Sequence, residues 1–502
     1  MKLSKQTIGH TDGGKVDLPS AACFGYPEKV LQFGTGVLLR ALPDYFIDKA
    51  NKQGIFKGRI VVVKSTDGGD ISEFSRQDNL YTVCIRGTEN GEKIEENIVN
   101  ASISRVISAK EDWNAVLACA SNPQLQIIIS NTTEVGIVLV KDDIHSSPPV
   151  SFPGKLLSFL HKRFEIFGDE DNKGLVIIPT ELLPDNGKKL LSILLELAEQ
   201  NRLSHQFIEW LNQKNFFCSS LVDRIVPGKL PPADREKTES SLGYTDTLMI
   251  MSENYRLWAV EAKDPKVNEV LSFSRADPGV VIAPDIHIFR ELKLRLLNGS
   301  HTLSCGLAHL VGFVTVKDAM ADSDFVTYVK TLMLEEIAPV ITDRNLSLDM
   351  AREFAGKVLD RYRNPFIEHR WLSITMQYSS KMKMRDVPIL LSYVERMERL
   401  PKLIVLGWAA YILFMRSELG NDGQYYGEIN GKKYLVNDNQ AAYYAAQWSD
   451  PARVVETVLS NEELWGSDLT ALPGFTEAVN TQVLNLQNNG PKAAIKNFEK
   501  NY

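Results

Sequence analysis

The sequence predicts an α/β protein, with a Rossmann-like, doubly wound domain over residues 1–275 followed by a mainly α-helical domain over 276–502. Three observations predict it. Short apolar runs at 29–33 (KVLQF), 59–63 (RIVVV), 125–130 (LQIIIS) and 174–179 (GLVIIP) alternate with helical stretches, as strands buried on both faces of a parallel sheet do. The first run leads straight into Gly34-Thr35-Gly36 and an apolar-periodic segment, a strand, tight turn and helix in succession. Beyond about residue 276 strand signals become few and 3.6-residue periodicity takes over.

Taken in order, residues 1–28 are polar and read as a loose lead-in. The helix expected from Val37 onward carries Pro43 near its first turns, and N–H groups at its start suit a pyrophosphate. Gly34, Thr35 and Gly36 are therefore candidates for binding a dinucleotide, although Leu39 stands where a third glycine would complete the fingerprint. An acid for the ribose is expected after the second strand; Lys64 stands there and Asp67 follows. Lys64 can meet a 2′-phosphate, so NAD over NADP does not follow from this stretch. Asn131, Thr132, Thr133 and Glu134 leave the carboxyl end of the third run, where a doubly wound sheet lines its crevice; a plain polar turn reads the same way. Residues 228–242 (GKLPPADREKTESSL) read as a polar surface excursion. Helices are expected over 323–337, 347–362, 365–378, 387–397, 402–417 and 440–459.

Composition narrows the function. A chain of 502 residues exceeds one small core, and 44% hydrophobic with 24% charged residues is ordinary for a globular protein. A net charge of −7 offers nucleic acid no basic footprint. Five scattered cysteines without a C-x-x-C argue against a disulfide framework or a zinc site and for a reducing compartment, so a cytoplasmic protein is expected. The N-terminus lacks an apolar signal core. The apolar run 403–415, between Lys402 and Arg416, is short for a bilayer and reads as a buried helix, so no membrane partner is expected. Oligomeric state is open.

The stretch with the sharpest chemistry is KLRLLNGSH. On an α-helix Lys293, Asn298 and His301 fall within an arc of about 140°. A lysine, an amide and an imidazole on one side supply a proton donor, a fixed dipole and a second donor, which suits a carbonyl being reduced or an alcohol being oxidised. A solvated lysine beside a satisfied histidine has the same spacing.

Seven segments in order resemble the mannitol dehydrogenase family, the polyol-specific long-chain dehydrogenases: FGTGVLLR, QDNLYTV, SNTTEVG, VDRIVPG, K-x4-N-x2-H, RYRNPFIEH and SSK. Within that family IIISNTTEVGI, VIIPTELLPDNG and RYRNPFIEHRWLSI are similar to the altronate branch. Leu182, preceded by Glu181, stands in the slot where the mannitol and mannonate branches carry an asparagine in a CDNLPxNG-like pattern, so one polar contact of the wider family is absent and its oxyanion scheme carries over only through Asn298.

The resemblance implies an NAD-dependent, metal-independent, reversible reduction of tagaturonate to altronate in hexuronate catabolism, with fructuronate reduction or mannitol oxidation as alternatives. It implies Lys293 as acid and base, Asn298 on the reacting oxygen, His301 on that oxygen or a neighbouring hydroxyl, and Lys381 and Glu134 on the substrate side. A free lysine titrates near ~10.4, so Lys293 needs burial or nearby cations to act as a base at neutral pH. A sugar acid carries a carboxylate, which calls for a cation; in SSKMKMR we assign it to Arg385 and read Lys383 as solvated. Asp223 and Arg224 form either a structural pair or part of the substrate wall. No H-E-x-x-H or Cys/His cluster has metal-ligand spacing, so no metal is expected. A sensor that kept the fold without the chemistry would be expected to have lost Lys293, Asn298 or His301, and all three are present.

Overall fold

The computed structural model describes residues 1–497 except Asp67, Gly69, Thr133 to Val135 and Asp171. It divides into two compact units, Met1–Gly87 with Lys93–Ile286, and Thr88–Glu92 with His287–Tyr502.

The first unit is built on six parallel strands, labelled in chain order: β1 (Glu28–Phe33), β2 (Arg59–Lys64), β3 (Ile103–Ser108), β4 (Ile127–Ser130), β5 (Val176–Pro179) and β6 (Phe216–Phe217). Their order across the sheet is β3-β2-β1-β4-β5-β6, so the winding reverses between β1 and β4. In a doubly wound sheet that reversal opens the crevice for a ligand. Alternate side chains feed two cores. Val30, Ile60, Val62, Ile127 and Ile129 enter one, and Leu31, Phe33, Val61, Val63 and Ile128 the other. Burial on both faces is why these strands read as unbroken apolar runs.

A second, mixed sheet joins Ser220–Asp223, Leu257–Glu261 and Val280–Ala283. Its last strand lies beyond the expected boundary at 275 and belongs to the first unit through its pairing with Leu257–Glu261.

Local departures from expectation have physical causes. The helix after Gly36 is two helices, Val37–Ala41 and Pro43–Lys52, broken at Leu42, whose φ of −127° and ψ of −78° are not helical. Proline pushes the residue before it out of the α region. The expected excursion at 228–242 holds a helix, Pro232–Leu242, which starts on a proline and stops at Gly243 with φ +76°. It buries only Leu242, so it has no apolar stripe to read.

In the second unit the buried helix Lys402–Phe414 packs against Ser300–Val311 and Phe475–Asn489. Among the described residues no helix is long and apolar enough to cross a membrane. The helix expected over 365–378 contracts to Trp371–Ile374. Asn364 Oδ1 turns the chain by accepting the Phe366 N–H at 3.0 Å, and the stretch then pairs with a neighbouring loop through Val316 N–H to His369 O (2.9 Å) and Trp371 N–H to Val314 O (3.1 Å). The helix expected over 440–459 is two, Ala441–Gln447 and Val454–Leu459. A small antiparallel sheet, Glu418–Leu419, Tyr425–Ile429 and Lys432–Leu435, was not expected; its turn is Asn430-Gly431 with both φ positive.

Candidate active site

Lys293 and Asn298 lie on a π-helix, Leu292–Gly299, that runs on into the α-helix Ser300–Val311. A π-helix bonds residue i to i+5, so residues five apart come into line. Lys293 and Asn298 are five apart, and the π geometry aligns them more closely than an α-helix would. Side-chain hydroxyls add donors to three carbonyls of this stretch. Tyr362 Oη donates to Leu297 O at 3.0 Å, the Ser300 hydroxyl donates to Leu296 O, and Thr302 Oγ1 donates to Asn298 O at 2.8 Å. At the C-terminal end a neighbouring element comes close: a Cβ on Gly299 would stand 2.9 Å from Asp386 Oδ1 and 3.1 Å from Ile389 Cδ1.

Lys293 and Asn298 are half-buried, while His301 is only 8% exposed. The His301 ring stacks on Tyr362 with centroids 4.1 Å apart and planes at 12°, and meets His369 and Trp371 edge-on at 5.4 and 5.9 Å. Its Nε2 is buried and has no hydrogen-bond partner among the described residues. Burial, then the proximity of His369, Arg361, Arg385 and Lys381, hold this imidazole far below its usual pKa, so it is neutral. Lys381 is half-buried, donates to Ile374 O at 2.7 Å, and has its pKa lowered by burial and then by Arg385. Arg385 Nη1 donates to Thr302 Oγ1 at 2.9 Å, and its Nε is buried without a partner among the described residues. Lys383 is exposed and donates to Glu463 O at 2.9 Å. The fold thus gathers Asn298, His301, Lys381 and Arg385. It adds three residues that sequence reasoning did not single out: Arg361, Tyr362 and His369. All three lie in RYRNPFIEH, which was legible as a family segment, but nothing in the chain marks Tyr362 as the platform for a ring 61 positions away.

In the first unit, Gly34 follows β1 with φ +132°, and a Cβ there would come within 2.8 Å of Leu39 Cδ1 and 3.1 Å of Asn131 O. Gly36 differs. Its φ is −62°, a Cβ on it would meet no atom within 4 Å, and as N-cap of Val37–Ala41 it forms no side-chain cap. Nothing in the protein demands glycine there, so its bareness fits the close approach of a ligand to the helix start. Asn131 donates to Thr180 Oγ1 at 3.0 Å. Glu181, 2% exposed, ties the neighbouring loop: one carboxylate oxygen accepts Thr132 N–H at 2.8 Å and Thr132 Oγ1 at 3.0 Å, and the other accepts Ser130 Oγ at 3.2 Å. Leu182 is 60% exposed. Lys64 is buried at the end of β2. Asp223 is buried at the end of Ser220–Asp223. Arg224 donates from Nε to Glu253 O at 3.0 Å and from Nη1 to Ala41 O, and lies over the Tyr45 ring. Thr133, Glu134 and Asp67 lie outside the described residues. Among those described, no group of three or more His, Cys, Asp or Glu could hold a metal ion.

Residues 28–271 match the family model of the mannitol dehydrogenase Rossmann domain, and residues 285–487 that of the mannitol dehydrogenase C-terminal domain. The chain is 35% identical over 479 residues to an altronate oxidoreductase of Bacillus subtilis, covering 94% of this chain and 95% of that one. To the altronate oxidoreductase of Pectobacterium carotovorum it is 36% identical, over 94% of this chain and 97% of the other. Among solved structures, D-sorbitol dehydrogenase in substrate-free form superposes with a TM-score of 0.79 at 21% identity, covering 99% of this chain and 100% of that one. Mannitol 2-dehydrogenase of Pseudomonas fluorescens, in ternary complex with NAD and D-mannitol, gives 0.69 at 23% identity, covering 100% of both chains. At these identities the two structures share the fold.

Proposed function

Because the chain belongs to the mannitol dehydrogenase family, we propose that it is an NAD-dependent altronate oxidoreductase, interconverting tagaturonate and altronate. The observation that carries the reading is the setting of His301: a neutral, buried imidazole with an open Nε2, near Lys381, Arg385, Arg361 and His369. An open polar nitrogen suits a substrate oxygen, and cations gathered beside it suit a carboxylate more than a neutral polyol. Relatives named altronate oxidoreductase at 35% and 36% identity support the same substrate.

The bare Gly36, the Gly34-Thr35-Gly36 turn, Asn131 and Thr132 would hold NAD, and Thr133, outside the described residues, is proposed to do so with them. Burial of Lys64 speaks against its taking a 2′-phosphate and so supports NAD over NADP. Bound there, NAD as NADH supplies the hydride for reduction, and in its oxidised form accepts it. The chain's own groups handle the oxygen and the proton. Lys293 Nζ gives a proton to the substrate oxygen in reduction and takes it back in oxidation. The Asn298 side-chain amide donates a hydrogen bond to that oxygen as its charge develops, and His301 Nε2 holds it or the adjacent hydroxyl. Lys381 and Arg385 supply the charge that a sugar-acid carboxylate needs, and Glu134 and Asp223 are proposed on the substrate side.

The test follows oxidation of NADH and NADPH with tagaturonate, fructuronate and fructose in parallel. Tagaturonate with NADH is expected to be preferred by at least about tenfold in kcat/KM, which is about 1.4 kcal/mol. Preference for fructuronate keeps the chemistry and moves the substrate assignment; turnover of fructose alone overturns the carboxylate argument.

A further inference from the structure

The π-helix that carries Lys293 and Asn298 exchanges arginines with a second π-helix, Met382–Asp386, packed against it. Arg295, two residues after Lys293, sends Nη1 to the main-chain oxygens of Met384 and Arg385, both at 2.8 Å, while its Nε is held by Glu291 Oε2 at 3.0 Å. Arg385 reaches back the other way. Its Nη1 donates to Thr302 Oγ1 at 2.9 Å and lies 3.5 Å from Asn298 O. The Thr302 hydroxyl passes the contact on, donating to the same Asn298 O at 2.8 Å. Thr302 is buried, and the Arg295 side chain is 14% exposed. Beneath the exchange the Asp386 carboxyl presses against Gly299, and neither of its oxygens has a hydrogen-bond partner among the described residues.

We propose that Arg295, Arg385 and Thr302 are positioning residues for Asn298: the two-way exchange fixes the main chain of Asn298 and so the reach of its side-chain amide. The argument is geometric. The Asn298 carbonyl takes side-chain donors, Thr302 Oγ1 at 2.8 Å and Arg385 Nη1 at 3.5 Å, and it belongs to the residue whose side chain is proposed to meet the reacting oxygen. Thr302 follows on the same continuous helix, and Arg385, which holds its hydroxyl, comes from a neighbouring helix that is itself pinned by an arginine two residues from Lys293. Each half of the exchange therefore holds the other in register. A displacement of about 1 Å at such a group lowers turnover on the order of a hundredfold. The inference rests on the role proposed above for Asn298.

Thr302→Val removes the hydroxyl while keeping the shape. It is expected to lower kcat about tenfold with KM for NADH unchanged, and Thr302→Ser is expected to bring kcat back to within about threefold of the parent. Arg295→Met keeps most of the packing and is expected to lower kcat by about thirtyfold or more. In an Asn298→Ala background each substitution is expected to lower kcat less than about twofold further, because the group being positioned is gone. Thermal melting identifies the folded variants, and the Thr302 pair decides the matter alone if Arg295→Met does not fold. Losses that multiply in full with Asn298→Ala, or a folded Thr302→Val with parental kcat, overturn the positioning role while Asn298 stands. An Asn298→Ala variant with parental kcat removes the reading of Asn298 and this proposal with it.

Discussion

At the scale of single residues, His301 shows how packing decides chemistry. Stacking on Tyr362 at 4.1 Å, with His369 and Trp371 at the ring edge, fixes the imidazole plane without any contact from a substrate. Pre-set orientation is what a group needs if it is to hold an oxygen in a transition state without reorganising. His301→Ala is accordingly expected to lower kcat/KM for tagaturonate about a hundredfold, with the Kd for NADH unchanged in a fluorescence titration. Because burial and the neighbouring cations keep the ring neutral, kcat/KM in the parent is expected to show no imidazole limb between pH 6.5 and 8. A limb near pH 6.5 that vanishes in His301→Ala would show that this ring titrates as a free histidine. Lys293, Asn298 and His301 could be singled out in the sequence as candidates because few residue types suit proton transfer and oxyanion contact, and three of them fall within one short helical stretch. Arg361 and His369 were not, since a charged or aromatic residue shows its role only when the fold places it beside the ring. Glu181 is a related case: it departs from the family pattern, and its carboxylate is spent on Ser130 and Thr132 within its own unit.

At the scale of elements, the π-helix was the feature least open to sequence reasoning. Reading by periodicity assumes about 100° per residue, whereas the i→i+5 stretch comes with tertiary contacts that no local pattern shows: Tyr362 on the Leu297 carbonyl, and Gly299 against Asp386 and Ile389. Gly299→Ala sets two effects against each other. Alanine is favoured over glycine in a helix by about 1 kcal/mol. Its Cβ would stand 2.9 Å from a buried carboxyl oxygen and 3.1 Å from a buried isoleucine, and overpacking of that kind costs about 1–3 kcal/mol. Clash is expected to win, so urea denaturation should give a net loss of up to about 2 kcal/mol; a gain in stability would mean that the two elements separate easily. The strands of the main sheet were legible for the opposite reason. Burial on both faces leaves an unbroken apolar run, and that signal does not depend on which element lies across from it. Pro232–Leu242, polar all round, carried a start and a stop but no stripe, so periodicity missed it.

At the scale of the molecule, buried titratable groups make stability depend on pH from both sides. On the acid side buried His301 and half-buried His309 and His369 have lowered pKa values, so the stability their neutral forms contribute is present above the usual histidine range and is lost as pH falls through their folded values. On the alkaline side Asp44 is one contributor. It is fully buried on Pro43–Lys52, and burial pushes its carboxyl up to about 7 against opposing hydrogen bonds from Gln32 (3.5 Å) and Tyr81 (3.3 Å) and the charge of Arg40. A carboxyl raised in the folded state binds its proton more tightly there than in the unfolded chain. Stability from this group is therefore fully present below about pH 3.8, and it declines as pH rises through 7. Between pH 5 and 8.5 the decline amounts to roughly 3 kcal/mol, at 1.36 kcal/mol per unit of pH over about two units. Asp44→Asn keeps an oxygen that accepts from Tyr81 and removes the titration. The difference in unfolding free energy, variant minus parent, is then expected to grow by about 3 kcal/mol in favour of the variant from pH 5 to pH 8.5. Urea denaturation read by the fluorescence of the first unit's buried tryptophans, Trp113, Trp210 and Trp258, measures it. A difference that stays constant across that range would assign the alkaline loss of stability to another buried, raised carboxyl, of which Asp386, Asp48 and Asp246 are the candidates.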